Sequence, residues 1–234
     1  PLYGTYPVSG AKNSVLPILA ACLAVDGTCV LHNSPALSDV DAAADILKAE
    51  GAVVTRAGQD LTVDASAAAP AGLREDLAHK MRSSVVFLGA MLARFHKAVL
   101  AFPGGCELGP RPIDLHLAGL RRLGADITEG YGLLNCRAPG GLTGADIALS
   151  FPSVGATENL MIAASLAKGV TTIRGAAREP EILELAAFLN AAGGVISGAG
   201  EDVITIHGVQ RLHGCEAVIG PDRIETATML SAVA

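Results

Sequence analysis

One loop of the chain carries side chains that could do chemistry on a bound substrate. Residues 103–116 contain Cys106 and Arg111, and they end on Asp114 and His116, where a helix is expected to begin. Three glycines and three prolines fall within these fourteen residues, a composition that fits neither a helix interior nor a central strand. The segment is therefore predicted to be a surface loop. Its thiol could act as a nucleophile or an acid, and its guanidinium could bind a phosphate or a carboxylate.

Two further cations stand where helices are predicted to begin. Lys12 and Arg82 each precede an apolar run with helical spacing, and the polar residues 153–159 open a third. Helix N-termini carry partial positive charge and free N–H groups, which favour phosphate. If the three helices start on the same rim, Lys12, Arg82 and Arg111 would form an anion-binding site.

Each of these residues also has an interpretation without a function. A single cation at a helix start is most often an ordinary surface residue, and a single loop cysteine is most often inert. Asp39 and Asp114 could be helix N-caps, and His116 is expected to pack on the following helix. The functional interpretation gains weight because these residues recur at matching points of a repeat.

Three stretches of the sequence share one plan: a long helix, a strand, a second helix and two short strands. The predicted first helices are 13–24, 79–95 and 156–168, and the predicted second helices are 41–50, 114–123 and 182–192. Gly51, Gly124 and Gly193 follow the second helices, 73 and 69 residues apart, where glycine suits a left-handed cap. A repeat of about 70 residues is too long for the common solenoids and suits three similar units around one core.

The ends of the sequence suggest that the plan continues. Residues 221–234 begin a further first helix with nothing after it, and the sequence starts at Pro1. We therefore expect one domain, residues 1–220, with repeats at about 12–78, 79–150 and 151–220, followed at 221–234 by the first helix of a second domain. On this interpretation the chain is a piece of a longer protein.

Composition limits the class of protein. Half of the 234 residues are hydrophobic and the formal net charge is −6, with no basic stretch to neutralise a nucleic-acid backbone. The most apolar segment, 15–25, is too short to span a bilayer. The five cysteines are scattered and lack a C-x-x-C pair, which disfavours a disulfide framework or a zinc site and favours a reducing compartment. The prediction is a cytoplasmic α/β protein without a nucleic-acid or membrane partner, in which Cys22, Cys29 and Cys136 are buried.

Six motifs, taken in order, point to a family. They are 9–13 (SGAKN), 81–84 (MRSS), the loop 103–116, 153–157 (SVGAT), 177–181 (AREPE) and 221–226 (PDRIET). Together they closely resemble the UDP-N-acetylglucosamine 1-carboxyvinyltransferases, a family of enolpyruvyl transferases, over essentially the whole chain. The enolpyruvyl transferases of the shikimate pathway are similar in fold but lack the cysteine loop, so they are the weaker match.

The resemblance implies an inverse α/β barrel fold of two domains, each built from three repeats, with phosphoenolpyruvate and UDP-N-acetylglucosamine bound between them. It implies transfer of the enolpyruvyl group to the sugar 3′-hydroxyl with release of phosphate, the first committed step of peptidoglycan synthesis and the target of fosfomycin. No metal or organic cofactor is implied, and the complete protein is expected to be a monomer. The general-base aspartate and a further arginine would belong to the second domain. The 234 residues alone are therefore expected to be inactive, and the alternative function is an isolated domain that binds the nucleotide sugar without turnover.

The same resemblance implies roles for individual residues. Cys106 is the acid that protonates C3 of phosphoenolpyruvate and can bond to it covalently. Lys12, Arg82 and Arg111 hold the phosphate and carboxylate groups, with Lys12 and Arg111 also counted as catalytic, and Asn13 orients the sugar. The uridine diphosphate site is implied at Arg111, Pro112, Ile113, Asp114, Leu115, Ser153, Val154 and Gly155, with Asp114 accepting a hydrogen bond from uracil. Phe151 and Pro152 stand where some members carry a lysine, so one cationic contact is missing there.

Overall fold

The computed structural model describes residues 3–70, 82–101 and 112–233, with only the backbone described at Arg82 and Ser83. The first unit begins with helix α1 and ends with a β-hairpin. Its elements are α1 (Lys12–Cys22), β1 (Val25–Asp26), β2 (Thr28–His32), α2 (Ser38–Ala49), β3 (Val53–Ala57) and β4 (Asp60–Asp64).

The second and third units repeat this order. The second contains a 3₁₀ turn (Arg82–Val86) that leads into α3 (Phe87–Phe95), then β5 (Lys97–Ala101), α4 (Asp114–Arg122), β6 (Asp126–Gly130), β7 (Leu133–Arg137) and β8 (Asp146–Ala148). The third contains α5 (Val154–Ser165), β9 (Val170–Arg174), α6 (Pro180–Ala191), β10 (Val195–Ser197) and β11 (Val203–His207), followed by β12 (Leu212–His213), β13 (Glu216–Val218) and α7 (Arg223–Val233). The predicted order of helix, strand, helix, strand, strand is confirmed. Helix bounds lie within three residues of those expected, except that the helix predicted at 79–95 becomes an α-helix only at Phe87, after the 3₁₀ turn, and residues 79–81 lie outside the described residues.

Glycine ends each second helix, as predicted. Gly51, Gly124 and Gly193 have φ values of 86°, 93° and 96°, the left-handed region that a side chain would strain. Each of these N–H groups donates back to the last turn of its helix, for example Gly124 to Arg121 O at 3.0 Å. The helix therefore stops where the sequence indicates, and the chain turns back into a strand.

The N-cap interpretation of two aspartates is wrong. Helix α2 begins at Ser38 after Leu37, and α4 begins at Asp114 after Ile113, in both cases without a side-chain cap. Asp39 and Asp114 lie inside the first turn, where the helix dipole still favours a negative charge.

The three first helices form the centre of the molecule. Helices α1, α3 and α5 contact one another, and every residue of α5 from Ala156 to Ser165 is buried. A helix buried on all sides needs apolar residues around its whole circumference, which explains why the strongest apolar runs in the sequence are these three. The sheets lie outside the helices, so the inverse α/β arrangement that the resemblance implied is confirmed.

Short strands that the sequence did not predict join the units. Strand β8, at the end of the second unit, pairs parallel with β9 of the third, and β13 pairs parallel with β2 of the first. Strands of two or three residues are too short to show a period of two, and their partners lie far away in sequence. The last strand thus returns to the first unit and closes the set.

Candidate functional site

The start of α1 holds Lys12 against two acidic side chains. Its backbone N–H donates to Asp222 Oδ2 at 3.2 Å, and its Nζ lies 3.1 Å from Asp39 Oδ2. The Lys12 side chain remains 44% exposed, so the ammonium is oriented by Asp39 yet accessible to a ligand. Asn13 is partly buried beside it, and its amide makes no hydrogen bond to any residue that the structure describes.

Asp222 ties the end of the third unit to the start of the first. Its Oδ1 accepts from the N–H groups of Ile224 at 2.7 Å and Glu225 at 3.1 Å. Burial acts to raise the pKa of Asp222, but the hydrogen bonds from the N–H groups of Glu225, Ile224 and Lys12 outweigh it and lower that pKa. The carboxylate is therefore charged at neutral pH and fixes the backbone of Lys12 at the start of α1.

The start of α5 is closed by a short hydrogen-bonded network. Ser153 caps the helix by accepting from Ala156 N–H at 3.3 Å. Thr157 Oγ1 donates to Ser153 O at 2.8 Å and accepts from Ala177 N–H at 3.1 Å. These hydrogen bonds fix the backbone of Ser153–Gly155 from its buried side, while the three residues stay partly exposed.

A buried amide joins the starts of three elements. Asn159 is fully buried; its Oδ1 accepts from Gly89 N–H at 2.8 Å, and its Nδ2 donates to Val85 O at 3.1 Å. The same Nδ2 lies 3.0 Å from His116 Nδ1. These bonds use both amide hydrogens and one lone pair of the amide oxygen, and they lock α5 against α3 and α4.

His116 is held as a neutral ring. Burial lowers its pKa to about 4, against a smaller opposing effect of Asp114. Because Nδ1 accepts from Asn159, the ring proton of the neutral form is assigned to Nε2. A Cβ built on Gly155 would lie 3.4 Å from that Nε2, so His116 packs on the following helix, as predicted.

The structure brings two halves of the implied uridine diphosphate site together. The His116–Gly155 contact sets the start of α4 beside the start of α5. Pro112 and Asp114 are exposed, and Ile113 and Leu115 are partly buried. Residues 112–115 therefore lie next to residues 153–155, which are 38 or more positions away in sequence.

The remaining predicted site residues are not all described. Cys106 and Arg111 lie outside the described residues, and for Arg82 only the backbone is known, at the first residue of the 3₁₀ turn that precedes α3. Their convergence with Lys12 stays a prediction.

A buried carboxyl pair, with one member on α5 and the other on α6, was missed by the sequence analysis. Glu158 and Glu181 are 6% and 3% exposed, and Glu181 Oε1 accepts from Arg223 Nε at 3.0 Å. Burial, and then repulsion from Glu181 and Glu179, raises the pKa of Glu158 to about 8. Glu158 is thus a neutral acid near pH 7. Its signal in the sequence was a glutamate within an otherwise apolar helix.

Replacing Glu158 with glutamine should remove a pH dependence of stability. Because its folded-state pKa is raised from 4.5 to about 8, the protonated group stabilises the fold fully below pH 4.5, and this contribution is lost as the pH rises through 8. The shift is equivalent to about 5 kcal/mol. Urea denaturation at several pH values should show the parent losing stability toward pH 8 more steeply than Glu158→Gln. The exposed Glu201→Gln variant should follow the parent, and parallel profiles of the parent and Glu158→Gln would contradict the assignment.

Cations at the other ends of the central helices already have partners. A cavity of about 620 Å³ there is lined by Arg94, Lys168 and Arg211 among others. Arg94 donates to Leu23 O and Val25 O. Lys168 donates to Gly140 O at 2.9 Å, and Arg211 pairs with Asp26 at 2.9 Å. These cations offset the negative ends of the helices, and we assign no site to them.

No group of three or more His, Cys, Asp or Glu side chains in the described ranges is placed to hold a metal ion. Over the same ranges, none of the helices has the length and apolar character needed to cross a bilayer.

Comparison with known proteins gives consistent relatives. A family model described as EPSP synthase (3-phosphoshikimate 1-carboxyvinyltransferase) matches residues 1–234. UDP-N-acetylglucosamine 1-carboxyvinyltransferase 2 of Caldanaerobacter subterraneus is 50% identical over 233 residues, which cover 100% of this chain and 56% of that protein. UDP-N-acetylglucosamine 1-carboxyvinyltransferase of Glaesserella parasuis is 49% identical over 234 residues, 100% of this chain and 55% of that protein. The chain thus spans about half the length of the curated relatives it matches.

Solved structures agree on the fold. The enolpyruvyl transferase NikO from Streptomyces tendae superposes with a TM-score of 0.88 at 26% identity, over 99% of this chain and 55% of that one. EPSP synthase from Acinetobacter baumannii superposes with a TM-score of 0.70 at 19% identity, over 93% and 50% of the two chains. The chain therefore belongs to the EPSP synthase family and has the enolpyruvyl transferase fold.

Proposed function

We propose that the protein transfers the enolpyruvyl group of phosphoenolpyruvate to the 3′-hydroxyl of UDP-N-acetylglucosamine, the first committed step of peptidoglycan synthesis. The observation that carries this proposal is the identity of about one half, along the whole chain, to enzymes named for that reaction. The oriented but accessible Lys12 and the paired starts of α4 and α5 support it, because they offer an anion contact and a polar cleft.

In the proposed reaction, the sugar hydroxyl attacks C2 of phosphoenolpyruvate and gives its proton to the general base expected in the second domain, while C3 gains a proton from Cys106. Loss of phosphate from C2 and of a proton from C3 then restores the double bond. Lys12, Arg82 and Arg111 would stabilise the phosphate and carboxylate charge as it shifts. Asn13 would orient the sugar, and residues 111–115 with 153–155 would bind the uridine diphosphate, Asp114 accepting from uracil.

The role of Cys106 can be tested by alkylation with an epoxide of the fosfomycin type. We expect mass spectrometry to show one adduct on the parent and none on Cys106→Ser. Cys136→Ser is the matched control and should be labelled like the parent, because burial raises the pKa of Cys136 to about 12 and leaves it unreactive. Undiminished labelling of Cys106→Ser would contradict the proposal.

The second candidate function is binding of the nucleotide sugar without turnover by the 234 residues alone. It is favoured by one observation, that the chain spans about half of its curated relatives. Calorimetry with UDP-N-acetylglucosamine, beside a phosphate-release assay on the same material, separates the two. Binding without phosphate release supports this candidate, and steady release refutes it.

We also propose the division of the chain at about residue 220, with α7 belonging to a second domain. The antiparallel bridge between Gly10 and Pro221 pairs the segment before α1 with the segment that follows the third unit, and this pairing supports a boundary at this point. Ser9 N–H donates to Glu225 Oε2 at 3.0 Å, and Tyr6 donates to the same carboxylate, so residues before Lys12 associate with α7. We also propose that the enzyme is cytoplasmic and, when complete, monomeric. The free thiols of Cys22, Cys29, Cys136 and Cys215 support the reducing compartment of this proposal.

A further inference from the structure

Three cysteine side chains meet in the core, although they come from distant parts of the chain. Cys22 ends α1, Cys29 lies in β2, and Cys215 directly precedes β13. Cys22 and Cys29 are fully buried, Cys215 is partly exposed, and all three are free thiols. The proposed reaction uses none of them, and the inference drawn from them does not depend on it.

Backbone pairing sets Cys215 beside Cys29. Strand β13 runs parallel to β2 with Glu216 opposite Val30. The residues just before these two, Cys215 and Cys29, therefore lie opposite each other. Val30 N–H donates to Cys215 O at 3.0 Å. Gly214 lies so close to Thr28 that a Cβ on it would be 2.2 Å from Thr28 O. Neighbouring strands lie about 4.8 Å apart, which is within the Cα separation of about 4.4–6.8 Å that a disulfide spans.

The thiols also perturb one another's ionisation. The neighbouring thiols of Cys215 and then of Cys22 lower the pKa of Cys29 by hydrogen bonding, against the effect of burial. The hydrogen bond to Cys29 raises the pKa of Cys215, and burial raises that of Cys22. Cys29 is therefore the acidic member of the group and Cys215 the accessible one.

We propose that Cys29 and Cys215 form an oxidisable dithiol that a low-molecular-weight disulfide converts into an intrachain disulfide. The Cys215 sulfur attacks one sulfur of the reagent and passes its proton to the Cys29 thiolate, and the first reagent thiolate leaves. The first reagent thiolate takes up that proton as it departs, and the Cys29 thiolate then attacks the Cys215 sulfur of the mixed disulfide, which releases the second reagent thiolate. Two protein thiols are oxidised and one reagent disulfide is reduced to two thiols, so the exchange balances.

The bond would join the first unit to the strand that closes the set of units. The two cysteines lie near opposite ends of the described chain, and cross-links that close long loops restrict the unfolded state most strongly. We expect the oxidised protein to melt about 5 °C or more above the reduced protein.

The test uses Cys106→Ser protein, which removes the loop cysteine, treated with oxidised glutathione. The expected result is a loss of two hydrogen atoms by intact mass, a Cys29–Cys215 cross-link in the peptide map, and reversal by dithiothreitol. Cys136→Ser in the same background is the matched control and should form the same bond.

Several results would overturn the proposal. A stable glutathione adduct on Cys215 without a cross-link would exclude attack by Cys29. A peptide map that joins Cys29 to Cys22 would show that Cys215 is not the partner of Cys29. An unchanged mass would exclude oxidation. Because mapping is done with both cysteines present, the outcome does not depend on whether Cys29→Ser or Cys215→Ser variants fold.

Discussion

Lys12→Met should lower kcat/KM of the full-length protein by at least about 10²-fold, because it removes a charge placed to contact the anionic groups of the substrate. The ammonium lies at the start of α1, held by Asp39 at 3.1 Å while its side chain is 44% exposed. Methionine keeps the length and the helix propensity of lysine, so the fold should be preserved. A phosphate-release assay at several concentrations of phosphoenolpyruvate measures the effect.

Two further variants sharpen this prediction. Lys48→Met is the matched control, since Lys48 is an exposed cation on α2 paired only loosely with Asp45 at 3.9 Å, and it should leave kcat/KM unchanged. Asp39→Asn keeps the ammonium but weakens its orientation, so we expect a smaller loss than for Lys12→Met. Equal activities of Lys12→Met and Lys48→Met would remove Lys12 from the site.

Asn159→Leu should destabilise the protein by about 4 kcal/mol, since it leaves the Gly89 N–H and the Val85 carbonyl buried without their partner. The amide bonds to these two groups and to His116 within 3.1 Å, and Asn159 is fully buried. The melting temperature should fall by about 10 °C, as measured by circular dichroism or calorimetry.

The matched control for this change is Asn190→Leu. Asn190 also bonds to backbone groups, donating to Ile196 O at 3.0 Å and accepting from Ile196 N–H at 2.8 Å, but it is exposed. Water can replace its bonds, so its loss should be at most about 1 kcal/mol. If both leucine variants melted alike, burial of the Asn159 network would not be the cause.

The helices were predictable because their signals are local. Apolar residues at helical spacing and the glycines at 51, 124 and 193 act within one or two turns of chain, and the structure places the helix ends there. The repeat then implied three similar units. The polar residues within the buried α5, Glu158 and Asn159, were visible as exceptions to an apolar pattern, but their partners were not.

Asp39 shows where local reasoning failed. An aspartate near a helix start is usually interpreted as a cap, since caps act within a few residues. Its actual partner is Lys12, 27 positions earlier, and that contact exists because α1 packs on α2. Without the packing, nothing in the spacing distinguishes the two roles.

The sequence by itself determined the order of helices and strands, the apolar centre, the helix-ending glycines and, through its motifs, the family. Only the tertiary structure decided that β13 returns to β2, that Lys12 meets Asp39, that Asn159 fixes His116, and that Cys215 lies beside Cys29. The physical reason is range. Propensity, periodicity and turn chemistry act between near neighbours, whereas these pairings arise when elements tens to nearly two hundred residues apart are pressed together to bury the central helices.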